Sequence, residues 1–205
     1  INIEDIFIIT GKILLEPIRN TLPQLPPENV VAEPYKRNTA PCLALASAFI
    51  SSRYSDSYSP REISMAVLTA DHIIEPKEAF IETIHSAFEY VEHNKVLATI
   101  GIPPTKPHTG FGYIEIAQPF NKNSTKCEIK PVNKFLEKPS YEKAVWFVEK
   151  GNYLWNSGMF FWRLDTFIEN MINATPEIGE KIEFMQKLYK NHTNEVLPTS
   201  FEPID

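Results

Sequence analysis

Five short stretches of this sequence set charged or polar side chains beside residues that end strands or open helices. Asp71 follows the apolar run Met65-Ala66-Val67-Leu68-Thr69 and Ala70, and His72 comes next. A carboxylate at the carboxyl end of such a strand can hold Mg2+ against phosphate oxygens, with most of the coordination left to water and ligand. His72 reads as a hydrogen-bonding partner and not as a metal ligand. Glu137-Lys138 ends the strand-like run Val132 to Leu136, and Pro139 stops that strand because it has no N–H to give a ladder. Asn156-Ser157-Gly158 is a small polar break between Tyr153-Leu154-Trp155 and Met159-Phe160-Phe161-Trp162. Gly110-Phe111-Gly112 closes a proline-stiffened loop, where glycine lets backbone approach a ligand closely. Finally, Lys36-Arg37-Asn38-Thr39 precedes a helix whose first N–H groups, still unpaired, suit an anion or a polar heterocycle.

Each stretch has an ordinary explanation. An exposed Glu-Lys pair contributes under about 1 kcal/mol, Asn-Ser-Gly commonly makes only a turn, and helix capping alone explains Thr39 and Pro41. Their company argues for more. A strand ending in Glu-Lys and a polar break ending in glycine can face one crevice at the carboxyl edge of a sheet, and that edge is where open α/β sheets bind ligands.

The elements that must carry these residues alternate. Apolar runs predict strands over 5–10, 29–32, 65–69, 97–102, 113–116, 132–136 and 159–162. Between and after them come helices over 12–22 (weakened by Pro17), from Asn38 or Thr39 to about Ile50, and over 76–93, 141–150, 164–173 and 176–190. Ser140 caps the fourth of these and Gly151 gives it a left-handed exit. Ile178, Ile182, Met185 and Tyr189 form the apolar stripe of the last. The alternation predicts a mixed α/β fold with a mostly parallel sheet and helices on both faces. No repeat or internal linker divides the chain, so 1–205 reads as one domain.

Composition excludes several function classes. The 205 residues are 43% hydrophobic and 22% charged, ordinary for a soluble globular domain able to bury about 70% of its unfolded surface. A net charge of −6 argues against general binding to nucleic acid or anionic membrane, though not against a local basic pocket. The two cysteines, Cys42 and Cys127, have no metal-ligand spacing, and Cys42 reads as a buried thiol. No apolar run approaches membrane-spanning length.

Taken in order, EPYKRNTAP (33–41), LTADH (68–72), GIPPTKPHTGFGYIE (101–115) and FLEKP with NYLWNSGMF (135–160) resemble the bacterial mannose-1-phosphate guanylyltransferases. These GDP-mannose pyrophosphorylases are sugar nucleotidyltransferases built on a Rossmann-like α/β domain. The resemblance implies a cytoplasmic enzyme that makes GDP-mannose and pyrophosphate from GTP and α-D-mannose 1-phosphate with Mg2+, with a homodimer left open. It implies that Arg37, Asn38 and Thr39 sit near guanosine and that Asp71 ligates Mg2+. Gly112 would pass its backbone close to the sugar. Glu137 and Asn156 would bind sugar hydroxyls, and Lys138 would neutralise phosphate. The family's glycine-rich arginine loop would precede Ile1 and its second metal-binding aspartate would follow Asp205. The chain is therefore expected to be the middle of an enzyme and inactive by itself. Three alternatives stay open: another nucleotide or hexose phosphate, a bifunctional enzyme that also isomerises mannose 6-phosphate, and a non-catalytic sugar-nucleotide-binding regulatory subunit.

Overall fold

The apolar run expected over 159–162 and the polar break before it fall within a single strand, Tyr153–Arg163, YLWNSGMFFWR, whose 11 residues make it the longest among the described residues. The computed structural model describes residues 1–33, 39–120 and 127–191. It divides into two units, Ile1–Ile63 with Leu164–Asp205, and Ser64–Arg163.

In the first unit β1 (Ile8–Gly11) pairs in parallel with β2 (Val30–Glu33), Ile8 opposite Val30. A 3-10 turn leads into α1 (Leu15–Thr21). Pro17 is tolerated there because the N–H groups of a first turn have no intrahelical acceptor to lose. Helices α2 (Thr39–Arg53), α5 (Leu164–Ala174) and α6 (Pro176–Asn191) supply most of the core. The expected stripe of α6 is the one that buries: Ile182 and Met185 pack with Ala44, Leu45 and Ala48 of α2, flanked by Ile178 and Tyr189. Five consecutive α2 residues, Ala44 to Ala48, are buried, so this helix is enclosed on more than one face. Cys42 is half-buried; burial and the neighbouring Glu33 carboxylate push its thiol up to about 11.

The second unit runs β3 (Ser64–Val67), α3 (Lys77–His93), β4 (Leu97–Ile102), β5 (Tyr113–Ile116), β6 (Val132–Leu136), α4 (Tyr141–Lys150) and then β7, the long strand Tyr153–Arg163. Local signals set α4 as expected: the Ser140 hydroxyl accepts from the Lys143 N–H, and Gly151 leaves the helix at φ 74°. The expected mostly parallel sheet does not form. Strands β3, β4 and β5 all pair antiparallel with β7, and β6 pairs antiparallel with β5. The pair β1–β2 is the only parallel one among the described residues.

The reason lies in where β7 inserts. Strands β3 and β4 run the same way and are joined through α3, as a βαβ reading requires, yet both pair with Phe160 to Trp162 and so hold opposite edges of β7. The last strand of the unit thus splits an earlier crossover. Its composition suits a central position, because Met159, Phe161 and Trp162 are all buried.

Phe161 is fully buried, packs with Val91 and Met159, and meets the Phe88 ring edge-on at 5.6 Å. Phe161→Ala should therefore cost about 3–5 kcal/mol, lost contacts and cavity together. Urea unfolding followed by tryptophan fluorescence would check this within the second unit, which holds all 3 tryptophans. A midpoint unchanged from the wild type would contradict the packing described.

Candidate active site

Strand register builds the site. Tyr113 of β5 lies opposite Leu136 of β6 on one side and opposite Trp155 of β7 on the other. One step towards the strand end, this sets Gly112 between Glu137 and Asn156. The three positions then project from one face, as cross-strand neighbours do. Two distances show the consequence. The Asn156 N–H donates to Gly112 O at 2.8 Å, and a Cβ placed on Gly112 would lie 2.9 Å from Glu137 Oε2 and 3.6 Å from Asn156 Cβ. Any side chain at residue 112 would thus occupy the ground between Glu137 and Asn156.

Gly112→Ala is a direct check on that space. The only tight contact of the new methyl is with the end of a flexible, exposed carboxylate, so the fold should survive. Binding of a ligand between Glu137 and Asn156 should weaken by about tenfold or more, as expected when a close backbone approach is filled. A titration giving unchanged affinity would show that ligand goes elsewhere.

Lys138 takes φ 41°, a left-handed conformation for a residue other than glycine, and one that its following proline does not favour. Such a residue costs about 1–3 kcal/mol and persists where its surroundings impose it. The bend brings the chain off β6 towards α4 and leaves Lys138 Nζ 3.7 Å from Glu137 Oε1. Both side chains are largely exposed, so the pair adds little to stability and remains free to meet a charged ligand.

Asn156 opens a bulge. Gly101 of β4 pairs with Asn156, but Thr99 pairs with Phe160, so β7 holds extra residues at Ser157-Gly158. Gly158 has φ +73°, a left-handed conformation that would strain any other residue, and a Cβ placed on it would only touch Thr69 Cγ2, at 3.4 Å. Within the bulge the Met159 N–H donates to Ser157 Oγ at 3.1 Å. The same edge of β7 is vacated by β3 after Val67 and taken up by β5 at Tyr113, so the bulge lies in the gap between them. Into that gap come two chain segments, Leu68 to His72 and the loop ending at Gly112.

An aromatic packing group fixes the second of these. The His108 ring stacks on Phe111 at 3.9 Å, Phe111 meets Trp155 at 5.2 Å, and the Tyr113 hydroxyl donates to His108 O at 2.9 Å. In the first segment Thr69 Oγ1 and His72 Nδ1 are 2.9 Å apart, which makes His72 the hydrogen-bonding partner expected of it. The Asp71 carboxylate is 85% exposed, with His72 Nε2 at 3.9 Å.

The structure therefore brings Gly112, Glu137 and Asn156 together and sets Lys138 beside them. Asp71 leaves the same β7 edge, but among the described residues no hydrogen bond or ion pair joins it to those three. Thr39 is the exposed first residue of α2 in the first unit, and Arg37 and Asn38 lie outside the described residues. Thr99 was not singled out from the sequence, although its hydroxyl reaches Asn156 Oδ1 at 3.1 Å. A hydroxyl inside the apolar run Leu97 to Ile102 was the available signal, because a buried polar group must find a partner.

Comparison with known proteins identifies the family of the chain. The family model described as nucleotidyl transferase matches residues 2–198. A mannose-1-phosphate guanylyltransferase of Salmonella montevideo is 40% identical over 144 residues, which are 70% of this chain and 29% of that protein. One of Escherichia coli K12 is 39% identical over 156 residues, 76% of this chain and 31% of that protein. The chain thus spans less than a third of the length of these relatives. Among solved structures, a mannose-6-phosphate isomerase from Helicobacter pylori matches with TM-score 0.66 at 27% identity, over 88% of this chain and 64% of that one. A protein from Thermus thermophilus named mannose-1-phosphate geranyltransferase matches with TM-score 0.63 at 27% identity, over 88% and 58% of the two chains. No described helix is long and apolar enough to cross a membrane. A mixed α/β chain matched almost from end to end by one family model, with its polar residues gathered at strand ends, belongs to the nucleotidyl transferase family.

Proposed function

We propose that this chain is the nucleotidyltransferase part of an enzyme that makes GDP-mannose and pyrophosphate from GTP and α-D-mannose 1-phosphate. The observation that carries the reading is the grouping of an exposed carboxylate, a carboxamide and an ammonium around one glycine: Glu137, Asn156 and Lys138 about Gly112. A carboxylate accepts from hydroxyls, an amide pairs with their oxygens, and an ammonium neutralises phosphate. That set fits a sugar phosphate better than a nucleobase or a peptide.

In the reaction a phosphate oxygen of mannose 1-phosphate bonds to the α-phosphorus of GTP, and the bond from that phosphorus to the bridging oxygen of pyrophosphate breaks. Transfers of this kind depend on alignment and charge neutralisation more than on covalent help from protein. Glu137 and Asn156 hold the sugar, Gly112 lets it lie against the backbone, and Lys138 offsets charge on its phosphate. For the guanosine half the proposal keeps Arg37, Asn38 and Thr39, on the resemblance to the family alone.

The residues present fit Mg2+. This ion is usually held by one or two carboxylates plus substrate phosphates and water, not by a dedicated cage. Asp71 offers one largely exposed carboxylate, and no group of three or more potential ligands exists among the described residues. When bound there, Mg2+ would offset negative charge on phosphate oxygens. Cytoplasmic location and a homodimer belong to the same proposal.

A second reading, an enzyme that also isomerises mannose 6-phosphate, is favoured by the likeness to the Helicobacter pylori structure of that name. The test is to assay a protein carrying this chain for pyrophosphate release with GTP and mannose, glucose or galactose 1-phosphate, and separately for isomerisation. Release with mannose 1-phosphate well above the others is the expected result. Binding of GDP-mannose without any release would overturn the catalytic reading in favour of a regulatory subunit.

A further inference from the structure

A carboxamide presents an acceptor at one end and two donors at the other, and its neighbours decide which end faces the ligand. Around Asn156 they decide clearly. The Gly158 N–H donates to Asn156 Oδ1 at 3.2 Å. A backbone donor cannot reverse its polarity, so turning the amide over would set Nδ2 and the Gly158 N–H face to face as two donors. The left-handed φ of +73° at Gly158 keeps that N–H in place.

Thr99 is the second element of the lock. Its hydroxyl reaches Asn156 Oδ1 at 3.1 Å and Met159 O at 2.8 Å, sharing one proton between two acceptors across the bulge. Oδ1 thus faces the Gly158 N–H and a share of the Thr99 proton, and among the described residues no hydrogen bond to protein uses Nδ2, whose two hydrogens stay available to a ligand. On the other side of that glycine stands Glu137, whose ionised carboxylate only accepts. The two walls make opposite demands. Only a group that donates one way and accepts the other satisfies both, and a sugar hydroxyl is such a group.

We infer that Thr99 is a specificity-determining positioning residue: acting through Asn156, it holds the amide as a donor, so that with Glu137 the site selects a hexose phosphate by a hydroxyl placed between them. The inference rests on the proposed function for the identity of the ligand. A site built to bond a hydroxyl rejects the analogue lacking it far more strongly than an apolar pocket could.

The test measures binding, so that its failure and failure of the catalytic reading can be told apart. In a protein carrying this chain, the Kd of mannose 1-phosphate and of each of its monodeoxy analogues is measured for wild type, Thr99→Val and Thr99→Ser. At the hydroxyl that wild type discriminates most, Thr99→Val should lower the ratio of deoxy to parent Kd by about tenfold. Thr99→Ser, which restores the hydroxyl, should return the ratio to within about twofold of wild type. Should Thr99→Val not fold, Thr99→Ala carries the same expectation. An unchanged ratio in the valine variant overturns the inference, even if affinity for every analogue falls together, because that is what a merely structural threonine would give. Failure of serine to restore the ratio overturns it too. Binding without turnover overturns only the catalytic reading, and absence of hexose phosphate binding in wild type overturns both.

Discussion

Asp71→Asn is expected to leave the protein folded and to lower Mg2+-dependent turnover by about a hundredfold or more. The carboxylate is 85% exposed and the ring of its neighbour His72 comes no nearer than 3.9 Å, at Nε2, so folding draws little from it. The amide keeps the shape and removes the charge. If Asp71 supports the ion that offsets phosphate charge, loss of that support acts where negative charge grows during transfer. Single interactions of this kind are commonly worth ~10²–10³ in rate. Steady-state pyrophosphate release across a Mg2+ titration measures it. Near-normal turnover at ordinary Mg2+ concentrations would remove Asp71 from the mechanism.

The second large effect separates two adjacent residues. Glu137→Ala should reduce selectivity among hexose 1-phosphates by at least about tenfold, along with rate, because it deletes the acceptor that reads a hydroxyl. Lys138→Ala should instead raise KM for every hexose 1-phosphate alike, since an ammonium reads charge and not hydroxyl pattern. Neither change should cost much stability: the two side chains are 73% and 68% exposed, and their mutual contact is a surface pair. The measurement is kcat/KM for mannose, glucose and galactose 1-phosphate with each variant. Equal loss of selectivity in both would show that the roles have been divided wrongly.

Local features of the fold were legible because their causes are local. Ser140 and Gly151 bound α4 through a side-chain acceptor and a left-handed exit, and both signals lie within a turn of the helix they end. The stripe of α6 was legible because period and composition agree there. Strand pairing was not, because register and order are settled by partners far along the chain. Nothing near Tyr153 shows that the strand starting there will pass between β3 and β4. Asn156-Ser157-Gly158 was read as a small polar break, yet β4 pairs with β7 on either side of it and absorbs it as a bulge. For the site, Gly112, Glu137 and Asn156 were legible as residue types, and the register supplied their adjacency. Thr99 was hidden because a threonine in a strand is ordinary until its hydroxyl is seen to have found a partner.

The late insertion of β7 bears on how the protein is made. On the ribosome β3, β4 and β5 emerge before the strand they all pair with. At typical synthesis rates the hundred residues from Ser64 to Arg163 take roughly 5–20 s, and for most of that time three strand edges and the apolar face of α3 lack their cover. The first unit waits longer still, because Ile182 and Met185 of α6, which complete the core around Ala44 and Ala48, are translated after the whole second unit. A nascent chain stalled before Tyr153 would thus present unpaired edges of the sort that bind chaperones or one another. The strand that lines the candidate sugar site is also the one whose arrival ends that exposure.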